Sequence, residues 1–137
     1  MSEPARTIPL PQKLGIGETD AVALIGAPEW LEDLIATVPS VAEVHTDLDG
    51  DAPFDVIVVF VSWRAELEAE IGRLRDRMAP GSALWVAWPK KAARVPTDMS
   101  DNVVREVALA TGLVDNKVCA IDETWSALRL VVRRRHR

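Results

Sequence analysis

The stretch Ser82–Lys91, SALWVAWPKK, constrains this fold more than any other. Ala83 to Trp88 is an unbroken apolar run, stopped by Pro89 and two lysines. Such a run is buried on both faces, as in a parallel sheet covered by helices, although a buried helix shows the same pattern. Its length, the Pro80-Gly81 turn before it and its two tryptophans favour a strand. In open α/β sheets ligands sit beyond the carboxyl ends of the strands. Here that end carries Trp88, Lys90 and Lys91.

The other elements fall into place around this strand. Residues 1–13 hold Pro4, Pro9 and Pro11, which bar a helix or central strand and predict an arm; residues 14–137 form one domain with a short basic tail. A turn at Gly15, Gly17 and Asp20 leads into a first buried strand, Ala21–Gly26. Pro28 suits the first turn of a helix, and Leu31, Leu34, Ile35 and Val38 give it an apolar face before Pro39 ends it. A short strand, Val41–His45, precedes the acidic loop TDLDGDAP. Asp55–Val61 is the most strand-like run, rich in β-branched residues. Ser62 is placed to cap the next helix, whose stripe is Leu67, Ile71, Leu74 and Met78. Arg64 with Glu68, and Glu70 with Arg73 or Arg77, decorate its outer side.

A loop from Pro89 to Met99 leads to a helix over residues 100–111, with Val103, Val104 and Val107 inward and Gly112 closing it. Val114–Ile121 and Trp125–Arg133, joined by a short turn, must be antiparallel neighbours. The expected sheet is mostly parallel, in the order second, first, third, fourth, sixth, fifth, within an α/β sandwich.

Composition narrows the function classes. A net charge of −5 argues against nucleic-acid binding, although Arg133, Arg134, Arg135 and Arg137 crowd the last five residues. That run reads as a solvated end or as a contact for an acidic partner. No apolar segment approaches the roughly 20 residues that span a bilayer. The N-terminus lacks a signal-like apolar core, and one cysteine leaves no internal disulfide, so the expected compartment is cytoplasmic.

Phe54–Phe60, FDVIVVF, then a helix, then Met78–Val86, MAPGSALWV, resemble class I S-adenosylmethionine-dependent methyltransferases. In that family an Asp-led apolar strand, a helix and a Pro-Gly turn follow one another. Its last strands form a hairpin after a glycine-ended helix, as Gly112, Leu113 and Trp125–Val132 do here. The segments WVAWPKK and VCAIDETWSALRLVVRR also look like a family of small uncharacterised bacterial proteins on a reduced version of this fold. The resemblance implies a three-layer Rossmann-like sandwich of reduced methyltransferase-like topology, short of one strand–helix unit between His45 and Phe54.

The resemblance also implies where a cofactor would bind. Methyltransferases hold S-adenosylmethionine with an acidic residue and a Gly-x-Gly loop after the first strand. This chain has Gly26, then Ala27 and Pro28. Proline removes a donor and adds bulk where glycine is wanted. Asp47 stands near the family's ribose-binding acid at the end of the second strand. The leading expectation is therefore a non-catalytic binding or interaction module without a cofactor. The alternative is a diverged S-adenosylmethionine-dependent methyltransferase.

Topology assembles one further candidate site. The carboxyl edge should gather Trp63, Trp88 and Trp125 with Arg64, Lys90, Lys91, Arg94, Asp122 and Glu123. Aromatic faces beside cations suit a small planar anion; a protein partner is the other expectation, with neither nucleic acid nor membrane. The competing expectation is a clasp, in which Asp122 and Glu123 neutralise the lysines while the tryptophans complete the core. Cys119 reads as a small buried hydrophobe. His45 and His136 lack partners at metal spacing, and Asp47, Asp49 and Asp51 lack the rest of a calcium loop.

Overall fold

The computed structural model describes residues 10–16, 21–36 and 43–133. Their helices are α1 (Leu10–Lys13), α2 (Glu29–Ala36), α3 (Arg64–Asp76) and α4 (Asp101–Leu109). Their strands are β1 (Ala21–Ile25), β2 (Glu43–His45), β3 (Phe54–Phe60), β4 (Met78–Pro89), β5 (Leu113–Ala120) and β6 (Trp125–Val132). The sheet order is β2-β1-β3-β4-β6-β5, as the sequence predicts. β2, β1, β3 and β4 are parallel, and β6 is antiparallel to both β4 and β5. No helix among the described residues is long and apolar enough to cross a membrane.

Both faces of β3 and β4 are buried, each by a different layer. On one face Ile57, Val59, Leu84, Val86 and Trp88 meet Leu67, Ile71 and Leu74 of α3 and Val104, Val107 and Ala108 of α4. On the other, Val56, Val58, Phe60, Trp85 and Ala87 meet Leu31 of α2 and Leu14 and Ile16 after α1. Trp85 is fully buried, and its indole N–H donates to the Leu14 carbonyl at 2.9 Å. That bond ties the N-terminal segment to the strand that organises the sheet.

The short crossover from β2 to β3 shows how the fold is reduced. Residues 46–53 carry no helix or strand. Parallel neighbours ordinarily need a dozen or more residues and a helix between them. Here β2 is only three residues long, and the loop drops Leu48 into the α3/α4 core. Arg77 then fastens the loop: its guanidinium donates to the carbonyls of Leu48 and Ala52 and lies 4.8 Å over the Phe54 ring.

Several local expectations are corrected. Leu10–Lys13 does make a helical turn, because Pro11 sits in its first turn, where a missing N–H costs nothing. Met78 belongs to β4 rather than to the helix stripe, since α3 ends at Asp76. Pro80-Gly81 is not a turn before the strand but a bulge within it: Phe54 pairs with Met78, and the next pair is Val56 with Ala83. Ser62 does not cap α3. Trp63 holds that position, and the Glu66 carboxylate accepts the N–H groups of Ser62 and Trp63 at 2.8 and 3.0 Å. Glu70 pairs with Arg73, while Arg77 is held by the loop. The readings at Gly17, Asp20, Val38, Pro39, Val41 and the last four residues lie outside the described residues.

Candidate functional site at the carboxyl edge

Register decides what meets at the carboxyl edge. Pro89 pairs with Trp125, and the Lys90 N–H donates to the Thr124 carbonyl at 2.7 Å, so the 122–124 turn does lie beside the Pro89-Lys90-Lys91 exit. Among the described residues, neither Lys90 nor Lys91 is in an ion pair with Asp122 or Glu123. Asp122 serves the turn instead, its Oδ1 accepting the N–H groups of Thr124 and Trp125, each at 2.8 Å. This is the local bonding that makes Asp a turn residue.

The three tryptophans do not form one box. Trp88 packs into the α3/α4 core, while Trp125 packs on the opposite face, its ring 5.0 Å from Phe60 in an edge-to-face contact. Successive strand residues face opposite ways, so Trp88 and the partner of Pro89 cannot share a face. Trp63 is separate again, 46% exposed at the start of α3. Arg64 is consumed by Glu68 at 2.9 Å and Glu106 at 2.8 Å, and both bonds hold its guanidinium pKa above the ordinary value. Arg94 follows the 3-10 turn Lys91–Ala93 and is exposed, at φ 56°.

Two concavities lie at this edge among the described residues. One, of about 480 Å³, lies between the end of β4 and the start of α4, with Trp88, Pro89, Lys91, Thr97 and Asn102 in its wall. Thr97 stiffens it, its hydroxyl donating to the Ser62 carbonyl and accepting the Met99 N–H. The other is an apolar groove of about 300 Å³ between α3 and the ends of β1 and β3, lined by Ile25, Val59, Phe60, Val61, Glu66, Ala69 and Glu70.

Trp30, in the first turn of α2, is 41% exposed and stands at the same edge. Trp30 lies outside the apolar stripe of Leu31, Leu34, Ile35 and Val38, and nothing in the sequence marks it as a site residue. Its exposure could not be read from the pattern.

No protein-family model matches the sequence, and no curated protein matches it either. Solved structures do match in fold. A ribosomal protein L11 methylase from Lactobacillus delbrueckii subsp. bulgaricus superposes with a TM-score of 0.66 at 12% identity, over 91% of this chain and 75% of that one. An O-methyltransferase of neocarzinostatin biosynthesis, solved with S-adenosylmethionine, gives 0.65 at 14% over 83% of this chain and 49% of that one. Magnesium protoporphyrin IX methyltransferase from Synechocystis PCC 6803, with bound SAH, gives 0.60 at 11% over 86% and 76%. The fold is that of a reduced, methyltransferase-like Rossmann sandwich.

The residues after β1 do not fit the amino-acid end of S-adenosylmethionine. Gly26 has φ 68°, and a Cβ there would stand 3.2 Å from the Phe60 carbonyl, so glycine is needed for β1 to leave the sheet beside β3. Past it, Pro28 has no N–H to offer, and Glu29 and Glu32 put negative charge in the first turn of α2. A ligand carboxylate is repelled there. Asp47 turns to its own loop, accepting the Asp49 N–H at 2.9 Å. The apolar groove between α3 and the ends of β1 and β3, by contrast, suits a flat, weakly polar group.

Proposed function

We propose that this protein is a diverged methyltransferase-fold protein that keeps a nucleoside-sized binding site and has lost the grip on the cofactor's amino-acid end. The observation that carries this reading is the apolar groove at the carboxyl ends of β1 and β3, with exposed Trp30 and Trp63 at the same edge. An adenosyl group lies over Ile25, Val59 and Val61, with an indole as its stacking partner, while Glu66 and Glu70 are the polar groups at its rim. The methyltransferase fold of the matched structures supports the choice of ligand, two of them having been solved with S-adenosylmethionine or SAH.

A melting titration of the full chain with S-adenosylhomocysteine, S-adenosylmethionine and 5′-methylthioadenosine tests it. Saturation at 100 times Kd adds about 2.7 kcal/mol, which is several degrees in Tm for a domain this size. All three ligands should stabilise alike, because only the shared adenosyl part is held. Trp63→Ala should abolish the shift and leave the unliganded Tm nearly unchanged. Much stronger binding of S-adenosylmethionine than of 5′-methylthioadenosine would restore the full cofactor site.

The second reading is a non-catalytic module for another ligand class or a protein partner. Pro28 and the acidic first turn of α2 favour it. A flat titration with all three adenosyl ligands would decide for it.

A further inference from the structure

Toward the amino-terminal end of β3 and β4 lies a cavity separate from the groove at the carboxyl edge. It measures about 230 Å³ and has Leu14, Asp55, Val56, Gly81, Ala83 and Arg129 in its wall. Gly81 has φ 78° and nothing within 4 Å of where a Cβ would stand, so the chain at the bulge of β4 lies open on that side. The volume equals that of about seven or eight waters in the liquid, room for a small metabolite and no more.

Two opposite charges share this wall without meeting. Neither Asp55 nor Arg129 is in an ion pair, with the other or with any described residue. Each is steadied by a different bond. Asp55 Oδ2 accepts the Ala21 N–H at 2.8 Å, which ties the carboxylate to the start of β1 and leaves Oδ1 over. Arg129 Nη1 donates to Asn116 Oδ1 at 3.1 Å, which leaves Nε and Nη2, one complete fork of the guanidinium. The ladder neighbour of Arg129 is Lys117, so no carboxylate faces it across the strands. Between the two charges the wall is apolar, with Leu14, Val56 and Ala83 all buried.

We infer that this cavity is a binding site for a small zwitterion, an α-amino acid with a short apolar side chain, whose carboxylate meets Arg129 and whose ammonium meets Asp55. A guanidinium fork matches the two oxygens of a carboxylate. The size agrees: a sphere of the cavity's volume is about 8 Å across, and an ammonium-to-carboxylate span of about 3 Å with a hydrogen bond of about 2.8 Å at each end comes to about 8–9 Å. An anion alone meets the like charge of Asp55, and a cation alone that of Arg129. Only a molecule that carries both charges is attracted at both ends. The apolar wall takes the side chain.

Titration of the full chain with L-alanine, propionate and ethylamine at constant ionic strength, followed through the amide resonances of Gly81 and Ala83, tests this. The three ligands differ in which charged groups they carry. Alanine should shift both amides saturably. Arg129 is half-buried and Asp55 exposed, so losing the carboxylate should matter more than losing the ammonium. Ethylamine should bind at least about tenfold more weakly than alanine, the ordinary loss for a charged hydrogen bond, and propionate severalfold more weakly. Arg129→Gln should weaken alanine at least about tenfold. Asp55→Asn keeps an oxygen for the Ala21 N–H and should leave the unliganded Tm nearly unchanged. That variant should weaken alanine severalfold and tighten propionate, because a like charge has gone. A purely structural Asp55 moves both ligands the same way. No saturable shift with alanine, propionate as tight as alanine, an unchanged alanine Kd in Arg129→Gln, or parallel changes for the two ligands in Asp55→Asn would each overturn the site.

Discussion

The two faces of this sheet are buried by different means. On the α3/α4 face, two regular helices lay down Leu67, Ile71, Leu74, Val104, Val107 and Ala108 at helical spacing. On the other face, the described cover is Leu31 of α2, with Ala27 and Leu34 packed beside it, plus Leu10, Leu14 and Ile16 in and after α1. The first cover is built from two regular helices, while the described part of the second joins a short helix to an irregular segment that the indole of Trp85 ties to the sheet through the Leu14 carbonyl. The regular face should therefore lose stability residue by residue, and the other should fail as a unit.

The largest test addresses both faces at once. Ile57 and Val58 are adjacent on β3, both fully buried, and they point to opposite layers. Aspartate at either position buries an unpaired charge, at a cost of several kcal/mol against a total stability of ~5–15. Ile57→Asp and Val58→Asp should each abolish the cooperative unfolding transition by circular dichroism. A folded Val58→Asp would show that the α1/α2 face opens to water.

Next come truncations that should separate the faces. Leu74→Ala, fully buried in the last turn of α3, should cost about 2–5 kcal/mol in a urea melt. Trp85→Phe removes the indole N–H and leaves the Leu14 carbonyl without its bond, a loss of about 1–3 kcal/mol before any cavity is counted. The distinguishing result is hydrogen exchange. Trp85→Phe should raise exchange at Leu14 and Ile16 far more than in α3, and Leu74→Ala should spread its effect over α3 and α4. A uniform rise in both variants would erase the contrast between the faces.

How much could be read beforehand follows the same division. The order of all six strands was legible, because unbroken apolar runs at Asp55–Val61 and Ala83–Trp88 admit only a central place in a covered sheet. The shortened β2–β3 crossover was legible too, from the number of residues between His45 and Phe54. Periodicity could not show that Leu14 and Ile16 cover a sheet face, since a segment without a repeat carries no signal of what it packs on. At the carboxyl edge, register brought Lys90 beside the 122–124 turn as expected, but side-chain bonding went elsewhere. Asp122 closes its own turn, and Arg64 is taken by Glu68 and Glu106. Those are choices between competing local partners, which spacing alone does not rank. The bulge at Pro80-Gly81 has the sequence signature of a turn, because both use the same residues.

Among surface charges the expected effects are small. Glu106→Gln removes one of the two carboxylates on Arg64, a bond that ties α4 to α3. Exposed ion pairs are worth about 0–1 kcal/mol and weaken with salt. The variant should lose no more than that in low salt and match the parent at 1 M sodium chloride. A loss that persists at high salt would mean that Arg64 holds the two helices in place by more than charge.

The smallest effect belongs to Cys119, on the α1/α2 face. Its thiol donates to the Ala120 carbonyl, and burial pushes its pKa above the model-compound value of 9.0, with Lys13 and Lys117 pulling the other way. A folded pKa above the unfolded one means that the native state holds the proton more tightly. The stability that this contributes is intact below about pH 9 and declines as pH rises from the unfolded value through the folded one. Urea midpoints between pH 8 and 10 should thus fall slightly more for the parent chain than for Cys119→Ala. The two lysines keep the difference small, because the thiolate gains from their charge while it loses from burial. Replacing Lys13 and Lys117 by Met should remove that opposition and steepen the decline. An unchanged slope in the double variant would show that the lysine charges do not reach the sulfur, leaving burial as the whole of the shift.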